Sequence, residues 1–385
     1  MTSFRFHHRL LSFALPCIAG LIVLLPILES CESRSPIRIG FVGCMSGRFS
    51  DLGTSGRNGV MLAVEEQNER DGIQGRPIEL ITRDDRQDKE FARKAVQELM
   101  EENVAAVIGH MTSAMSVATI PLINREKVLM VSPTSTTNQL NDLDDFFLRV
   151  MPPNRAETSH LARHAYAQLG LRRVVAVYDV SNRAFSEGIA MHFKTTFEEL
   201  GGHVTHALPF DSGPDLDFVE LVSGLPLEDA DGLLLISAAR DTAMICQHLH
   251  LQGVHLPILS SGWAMTADLL HLGGHAVEGL VFSHLLDQTS RLDRFQSFKA
   301  RYRERFGEDP DFAAAHAYEA ALMVFDGLRA IDDPYDSTAL KAAILSQATF
   351  YGVQGDFHIN RFGEPQRERY LVVVRQGEFK TLERK

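Results

Sequence analysis

From Ile37 onward the chain alternates short β-branched or apolar runs with longer stretches whose apolar residues recur at helical spacing. That alternation predicts an α/β fold in which parallel strands are crossed by helices. Strands are expected at residues 37–42, 78–82, 105–108 and 128–131, with Val60, Met61 and Val64 marking one helix between them and Phe91, Ala95 and Leu99 another. At residues 146–153 a short apolar strand ends in Pro152-Pro153, which cannot continue a central strand and fixes an extended crossing. The rhythm then restarts, with helices at 156–169, 185–200 and 242–251 and strands at 174–178, 203–208, 232–236, 257–260 and 277–282. Two long helical patterns, 291–306 and 312–331, follow with no strand between them, which places a second crossing near 283–287. Two glycines at Gly352 and Gly355 mark a turn and a third crossing. Tyr370 to Val374 and Phe379 to Leu382 about Gln376-Gly377 read as a terminal hairpin. The expected organisation is therefore two lobes, 36–150 with 288–353 and 151–287 with 354–385.

Two of the first-lobe strands run into hydroxyl-rich loops. Residues 105–108 lead into Gly109-His110-Met111-Thr112-Ser113, and residues 128–131 lead into Ser132-Pro133-Thr134-Ser135-Thr136. Ser113 opens a helical pattern (Met115, Val117, Ala118, Ile120), so free backbone N–H groups should lie beside hydroxyls, where an anion is favoured. In open α/β sheets ligands settle outside the carboxyl ends of the strands, where both loops fall. The same residues would also serve as a helix N-cap and a polar turn.

A chain of 385 residues has room for two domains of ordinary size, and 45% hydrophobic with 23% charged residues is a globular composition. The net charge of -12 and the lack of a basic stripe speak against nucleic acid as a partner. Arg5, His7, His8 and Arg9 precede a mostly apolar run from Leu10 to Leu28, the pattern of an export signal spanning residues 1–30. Leu28-Glu29-Ser30-Cys31 resembles the bacterial lipobox, which would make Cys31 the lipid-bearing first residue of a mature protein held at the membrane in the periplasm or at the cell surface. Glu29 departs from that motif. The other reading, an uncleaved anchor, is weakened by Pro16 and Pro26. Of four cysteines, Cys44 and Cys246 remain in the body of the chain, as one bridge or as two buried thiols. No metal-ligand spacing occurs, since His248 and His250 would diverge on a helix, and no cofactor motif is present.

The order of these pieces resembles the type I periplasmic solute-binding proteins of the branched-chain amino acid and amide ABC transporter class, the group of the leucine/isoleucine/valine-binding protein. The resemblance covers about residues 36–382. It is carried by Ile37-Arg38-Ile39-Gly40 with Ser46-Gly47, Gly75-Arg76-Pro77-Ile78, Asp84-Asp85, Ala106-Val107-Ile108-Gly109 and Ser132-Pro133. It continues through Ser186-Glu187-Gly188, Gly262-Trp263-Ala264, Ala276-Val277-Glu278-Gly279 and Tyr318-Glu319-Ala320. The resemblance implies two Rossmann-like lobes with parallel sheets joined by three crossings, closing over a ligand. It carries Ser113, Thr134 and Thr136 over as the clamp for a ligand's carboxylate and ammonium. The acidic partner for the ammonium would fall after residues 257–260, where Ser261-Gly262-Trp263 has no carboxylate. Phe185 keeps a ring in the second lobe, whereas Ala238 stands where a larger side chain is usual, which implies a roomier pocket. Trp263 reads either as a ring over the ligand or as a packing residue, and Tyr318 either as a ligand contact or as core. The expected solute accordingly has an apolar or aromatic second end and no obligatory free ammonium.

Function then follows as expectation. The first is a lipid-anchored receptor that delivers a small amino-acid-like, amide or carboxylate solute to an ABC permease. The second is a sensor of the same fold that signals to a membrane kinase or regulator. An enzyme is disfavoured, because Gly-x-Ser-x-Gly, His-Glu-x-x-His and phosphate-loop motifs are all missing and Asp84-Asp85 and Asp144-Asp145 read as turn caps.

Overall fold

A computed structural model describes Thr2 and residues 35–384; the rest of the segment read from sequence as an export signal, and Cys31, lie outside the described residues. The first lobe is built on five parallel strands, β1 (Ile37–Gly43), β2 (Ile78–Asp84), β3 (Ala106–Ile108), β4 (Met130–Ser132) and β5 (Phe147–Arg149), in the order β2-β1-β3-β4-β5. Helices α1 (Ser50–Glu69), α2 (Lys89–Glu101) and α3 (Ser113–Glu126) connect them. Asp88 starts α2 by accepting from the Glu90 and Phe91 N–H groups, which satisfies donors that the helix itself cannot.

The chain then enters the second lobe with α4 (Arg155–Ala167), β6 (Arg173–Asp179), α5 (Arg183–Glu199), β7 (His203–Phe210) and α6 (Phe218–Ser223). It continues with β8 (Gly232–Ile236), α7 (Ala239–Leu251), β9 (Ile258–Ser261), α8 (Ala267–Gly273) and β10 (Val281–His284). Helices α9 (Asp293–Phe306), α10 (Phe312–Arg329) and α11 (Ser337–Gln347) return to the first lobe, where α10 packs along α1 and against β3 and β4. Gly59 on α1 permits that packing, because a Cβ there would lie 2.1 Å from the Ala314 carbonyl oxygen. The remaining strands are β11 (Thr349–Gly352), β12 (Gly355–Ile359), β13 (Pro365–Gln366), β14 (Tyr370–Arg375) and β15 (Glu378–Arg384).

The second sheet runs β15-β14-β10-β9-β8-β6-β7, parallel except where the terminal hairpin joins it. The hairpin turns at Gln376 and Gly377, both with positive φ, as the sequence predicts. Three differences from the sequence reading stand out. Helices α6, α8 and α11 form where no helix is expected, β10 begins at Val281 because residues 274–277 form a short 3-10 turn, and the third crossing is a small antiparallel sheet, β11-β12-β13. Among the described residues no helix is long and apolar enough to cross a membrane.

Buried ion pairs tie the crossings together. Arg149, at the end of β5, lies 2.5 Å from Glu364 in the third crossing and donates to the Thr137 carbonyl at 2.9 Å. Arg367 donates to both carboxylate oxygens of Glu319 on α10, at 2.6 and 2.9 Å, while Glu319 also accepts from the Val353 N–H and neighbours His316 Nδ1 at 3.1 Å. Burial alone would raise the Glu319 pKa, but Arg367 and His316 outweigh it and hold the carboxyl well below its usual range. Removing one partner strands the other charge in the interior, so Glu319→Gln should lower stability by about 3 to 5 kcal/mol in urea unfolding. A loss under about 0.5 kcal/mol, the range of a surface substitution, would show that the pair is not structural.

Candidate functional site

The carboxyl ends of the two parallel sheets face each other, and the loops that leave them line a small cavity between the lobes. The first lobe lines it with Leu52, Met111, Thr112, Ser113, Thr134, Thr136 and Phe312, and Met151 comes from the crossing between lobes. The second lobe adds Glu157, Asn182, Phe185, Gly262, Trp263 and His284. Each loop follows from local chemistry: β3 and β4 are three-residue strands that give way to Gly109 and Pro133, the hydroxyl residues follow these, and Ser113 is the first residue of α3.

Five of the six residues chosen from sequence, Ser113, Thr134, Thr136, Phe185 and Trp263, are brought together in this cavity. Ser113 Oγ accepts from the Thr136 N–H at 3.2 Å, and Thr134 Oγ1 donates to the Met111 carbonyl at 2.5 Å. Thr136 Oγ1 is buried with no hydrogen-bond partner among the described residues. Tyr318 is elsewhere: it is buried under α1, donates to Glu66 at 2.8 Å and packs on Phe298 at 4.9 Å, so its ligand assignment is corrected to a core role. The periodicity of α10 gives no cleft face because nearly all of that helix is buried.

Trp263, the single tryptophan, bridges the lobes. Its ring stacks on Phe49 of the first lobe at 5.5 Å and meets Phe185 edge-on at 5.7 Å. Polar contacts cross the cleft beside it. Arg48 pairs with Asp241 at 3.0 Å, Thr266 donates to Asp51 at 2.7 Å, and the Ala114 N–H at the start of α3 donates to Asn182 Oδ1 at 3.0 Å. The last contact satisfies one of the free donors of that helix terminus from the opposite lobe.

Among the cavity residues that sequence reasoning missed, two are titratable, Glu157 and His284. Glu157 lies in the first turn of α4, where an acid is favoured by the helix dipole and draws no notice. The residue lines the cavity, and its carboxyl makes no hydrogen bond among the described residues; burial pushes it up to about 8, against a lowering pull from Arg369. The loop after β9 brings no carboxylate to the cavity, as expected, and Glu157 brings one from α4 instead. His284 ends β10, two residues beyond the strand end expected from sequence. Its Nδ1 accepts from the Leu286 N–H at 3.0 Å, which assigns the proton to Nε2, and Nε2 has no partner among the described residues. Burial first, then His316 and Arg367, holds this imidazole well below its usual pKa, so it is neutral. Gly262 is what lets His284 lie here, because a Cβ on it would meet His284 Cδ2 at 2.1 Å. Ala238 does not line the cavity, and its small side chain therefore does not enlarge it, contrary to expectation.

Other groups lie outside the cavity. His110 Nδ1 pairs with Asp85 at 2.7 Å behind the β3 loop. Cys44 and Cys246 are buried free thiols, both pushed up to about 12 by burial. Cys44, Asp84 and Asp85 approach one another, but Asp84 accepts from the Met45 and Arg86 N–H groups and Asp85 from the Gln87 N–H.

The burial of Glu157 has a sign-definite consequence for stability. In the unfolded chain a glutamate ionises near 4.3, whereas here it stays protonated to about 8, so the unfolded state binds fewer protons between those values and stability falls as pH rises. Thermal melts of ligand-free protein should show Tm falling from pH 6 to pH 8, and Glu157→Gln should flatten that slope. An unchanged slope in the variant would mean that Glu157 is already ionised at neutral pH.

Comparison with known proteins places this geometry among relatives. The profile of the family described as periplasmic binding protein matches residues 36–378. The chain is 23% identical over 313 residues, 80% of its length and 83% of the relative's, to Leu/Ile/Val-binding protein homolog 3 of Brucella melitensis. Among solved structures, a leucine-binding protein of Thermotoga maritima MSB8 superposes with a TM-score of 0.83 at 28% identity, over 90% of this chain and 98% of that one. A solute-binding protein of an ABC transporter from R. palustris, in complex with benzoate, gives 0.83 at 18% identity, over 91% and 96%. At that identity the likeness concerns the fold.

Proposed function

The chain belongs to the periplasmic binding protein family, in the type I class of the Leu/Ile/Val-binding proteins, and from that premise we propose that it is an extracytoplasmic receptor for an ABC importer. It captures a small amino-acid-like, amide or carboxylate solute between its lobes. One observation carries this reading: Thr136 Oγ1 and His284 Nε2, hydrogen-bonding groups without partners among the described residues, are enclosed with Ser113 and an aromatic wall between lobes that touch each other across the cleft. The names of the relatives bracket the solute class, with branched-chain amino acids in one and an aromatic carboxylate in another. On this reading the lobes are 36–150 with 288–353 and 151–287 with 354–385, and closure about the crossings buries the solute.

A thermal-shift screen of amino acids, amides and carboxylates tests the solute class, because a ligand that binds only the native state adds about 2.7 kcal/mol of apparent stability at a hundredfold excess over Kd. For a solute so found, Ser113→Ala and Thr136→Ala should each cost about 1 to 3 kcal/mol of affinity by calorimetry, as expected for hydrogen bonds to a charged group. Unchanged affinity in both variants would remove these residues from the clamp.

We also propose export and lipid attachment at Cys31, which rests on the sequence pattern of residues 1–31. Cys31→Ser should leave the precursor unprocessed or release the protein from the membrane. A variant processed and membrane-bound like the wild type would contradict it.

A further inference from the structure

A groove of about 1270 Å³ lies between α4 and the third crossing, and it shares no lining residue with the solute cavity. The two spaces sit back to back on one wall. In the first and second crossings Met151 and His284 line the solute cavity, whereas the residues that follow them, Pro152 and Leu285, line the groove. Helix α4 divides in the same way: Glu157 lines the solute cavity, while Arg155, Ser159 and Arg163, spaced four apart and so on one face, line the groove. The third crossing supplies the opposite side, so all three crossings border the groove.

The charge of this groove runs against that of the chain. The protein carries a net charge of -12, yet Arg155, Arg163, Arg367 and Arg369 line the groove against three acids. Ion pairs with residues outside it hold most of these charges: Arg367 has Glu319, Glu364 has Arg149, and Asp356 has Arg294 at 2.6 Å. That leaves Arg155, Arg163 and Arg369, with Glu368 as the third acid. None of these three arginines makes a side-chain hydrogen bond or ion pair among the described residues, and Arg369 Nε is buried without a partner there. Guanidinium forks match the oxygens of phosphate and carboxylate groups, and a concave site of one sign concentrates its counter-ion.

We propose that the groove is a second binding site, which takes a small dissolved oxyanion of two or more negative charges on Arg155, Arg163 and Arg369, and that its occupancy shifts the balance between open and closed lobes. A monovalent ion neutralises one guanidinium and leaves the others, whereas a polyphosphate or polycarboxylate engages several at once. The coupling follows from placement. Turning the lobes about the crossings reshapes the groove together with the cleft, so an anion that fits one arrangement better favours that arrangement. The groove lies outside the solute cavity, so its occupancy is read on protein without solute and neither outcome bears on solute binding.

The test is calorimetric titration of pyrophosphate and of citrate into the protein at pH 7 and fixed ionic strength, with sodium chloride as the monovalent control. At least one of the two anions should saturate at one per protein. Its affinity should fall at least tenfold in Arg163→Gln and in Arg369→Gln, both checked for fold by circular dichroism. It should stay within twofold in Arg125→Gln, which changes a surface arginine outside the groove. Emission of Trp263, packed on Phe49 across the cleft, should change along the same saturation curve and require correspondingly more anion in the two groove variants. No saturable binding of either anion beyond the chloride control, or an affinity unchanged in either groove variant, overturns the site. Saturable binding that leaves Trp263 emission unchanged overturns its coupling to the lobes.

Discussion

A hydroxyl, an imidazole and a carboxyl buried among leucine, methionine and aromatic side chains are costly unless partners are supplied, and the cleft is arranged around that unmet demand. Elsewhere in the interior the demand is met within the protein: Arg367 has Glu319, Arg149 has Glu364, and Tyr318 has Glu66. Those pairs fix the crossings and the return of α10 to the first lobe. The cleft differs because, among the described residues, Thr136 Oγ1 and His284 Nε2 have no hydrogen-bond partner and Glu157 makes no hydrogen bond. A scaffold that satisfies its buried charges at the hinge and leaves polar groups unsatisfied between its lobes is organised to take its last hydrogen bonds from a solute.

The hinge and the cleft are physically connected. His284 lines the cavity, and its ring lies 6.2 Å from that of His316, which neighbours Glu319 and through it Arg367 and the Val353 N–H of the third crossing. The end of β10 therefore joins the solute cavity to a buried charge network that holds a first-lobe helix and a crossing together. A solute that engages His284 acts on a group already packed against the hinge, which is the geometry a closing receptor needs.

Much of this was legible in the sequence, because the rule that ligands sit at the carboxyl ends of parallel strands turns a strand pattern into a site. Ser113, Thr134, Thr136, Phe185 and Trp263 all follow strands or open helices, and all five reach the cavity. Tyr318 failed for a physical reason: a helix buried nearly all round carries no periodic stripe that marks its face. Glu157 escaped notice because an acid in a helix's first turn already has a local explanation, and only tertiary structure shows that it turns inward. His284 was lost to a boundary, since the residues before β10 form a 3-10 turn and move the strand toward its carboxyl end.

The central claim is that a solute is held between two lobes that close on it, and Trp263 reports this directly because it is the single tryptophan and packs on Phe49 across the cleft. Its emission and acrylamide quenching should be followed while a solute shown by calorimetry to bind is titrated in. Closure predicts a shift to shorter wavelength and protection from quencher, saturating at one solute per protein with the calorimetric Kd. Emission and quenching that stay unchanged at saturation would contradict closure over the solute.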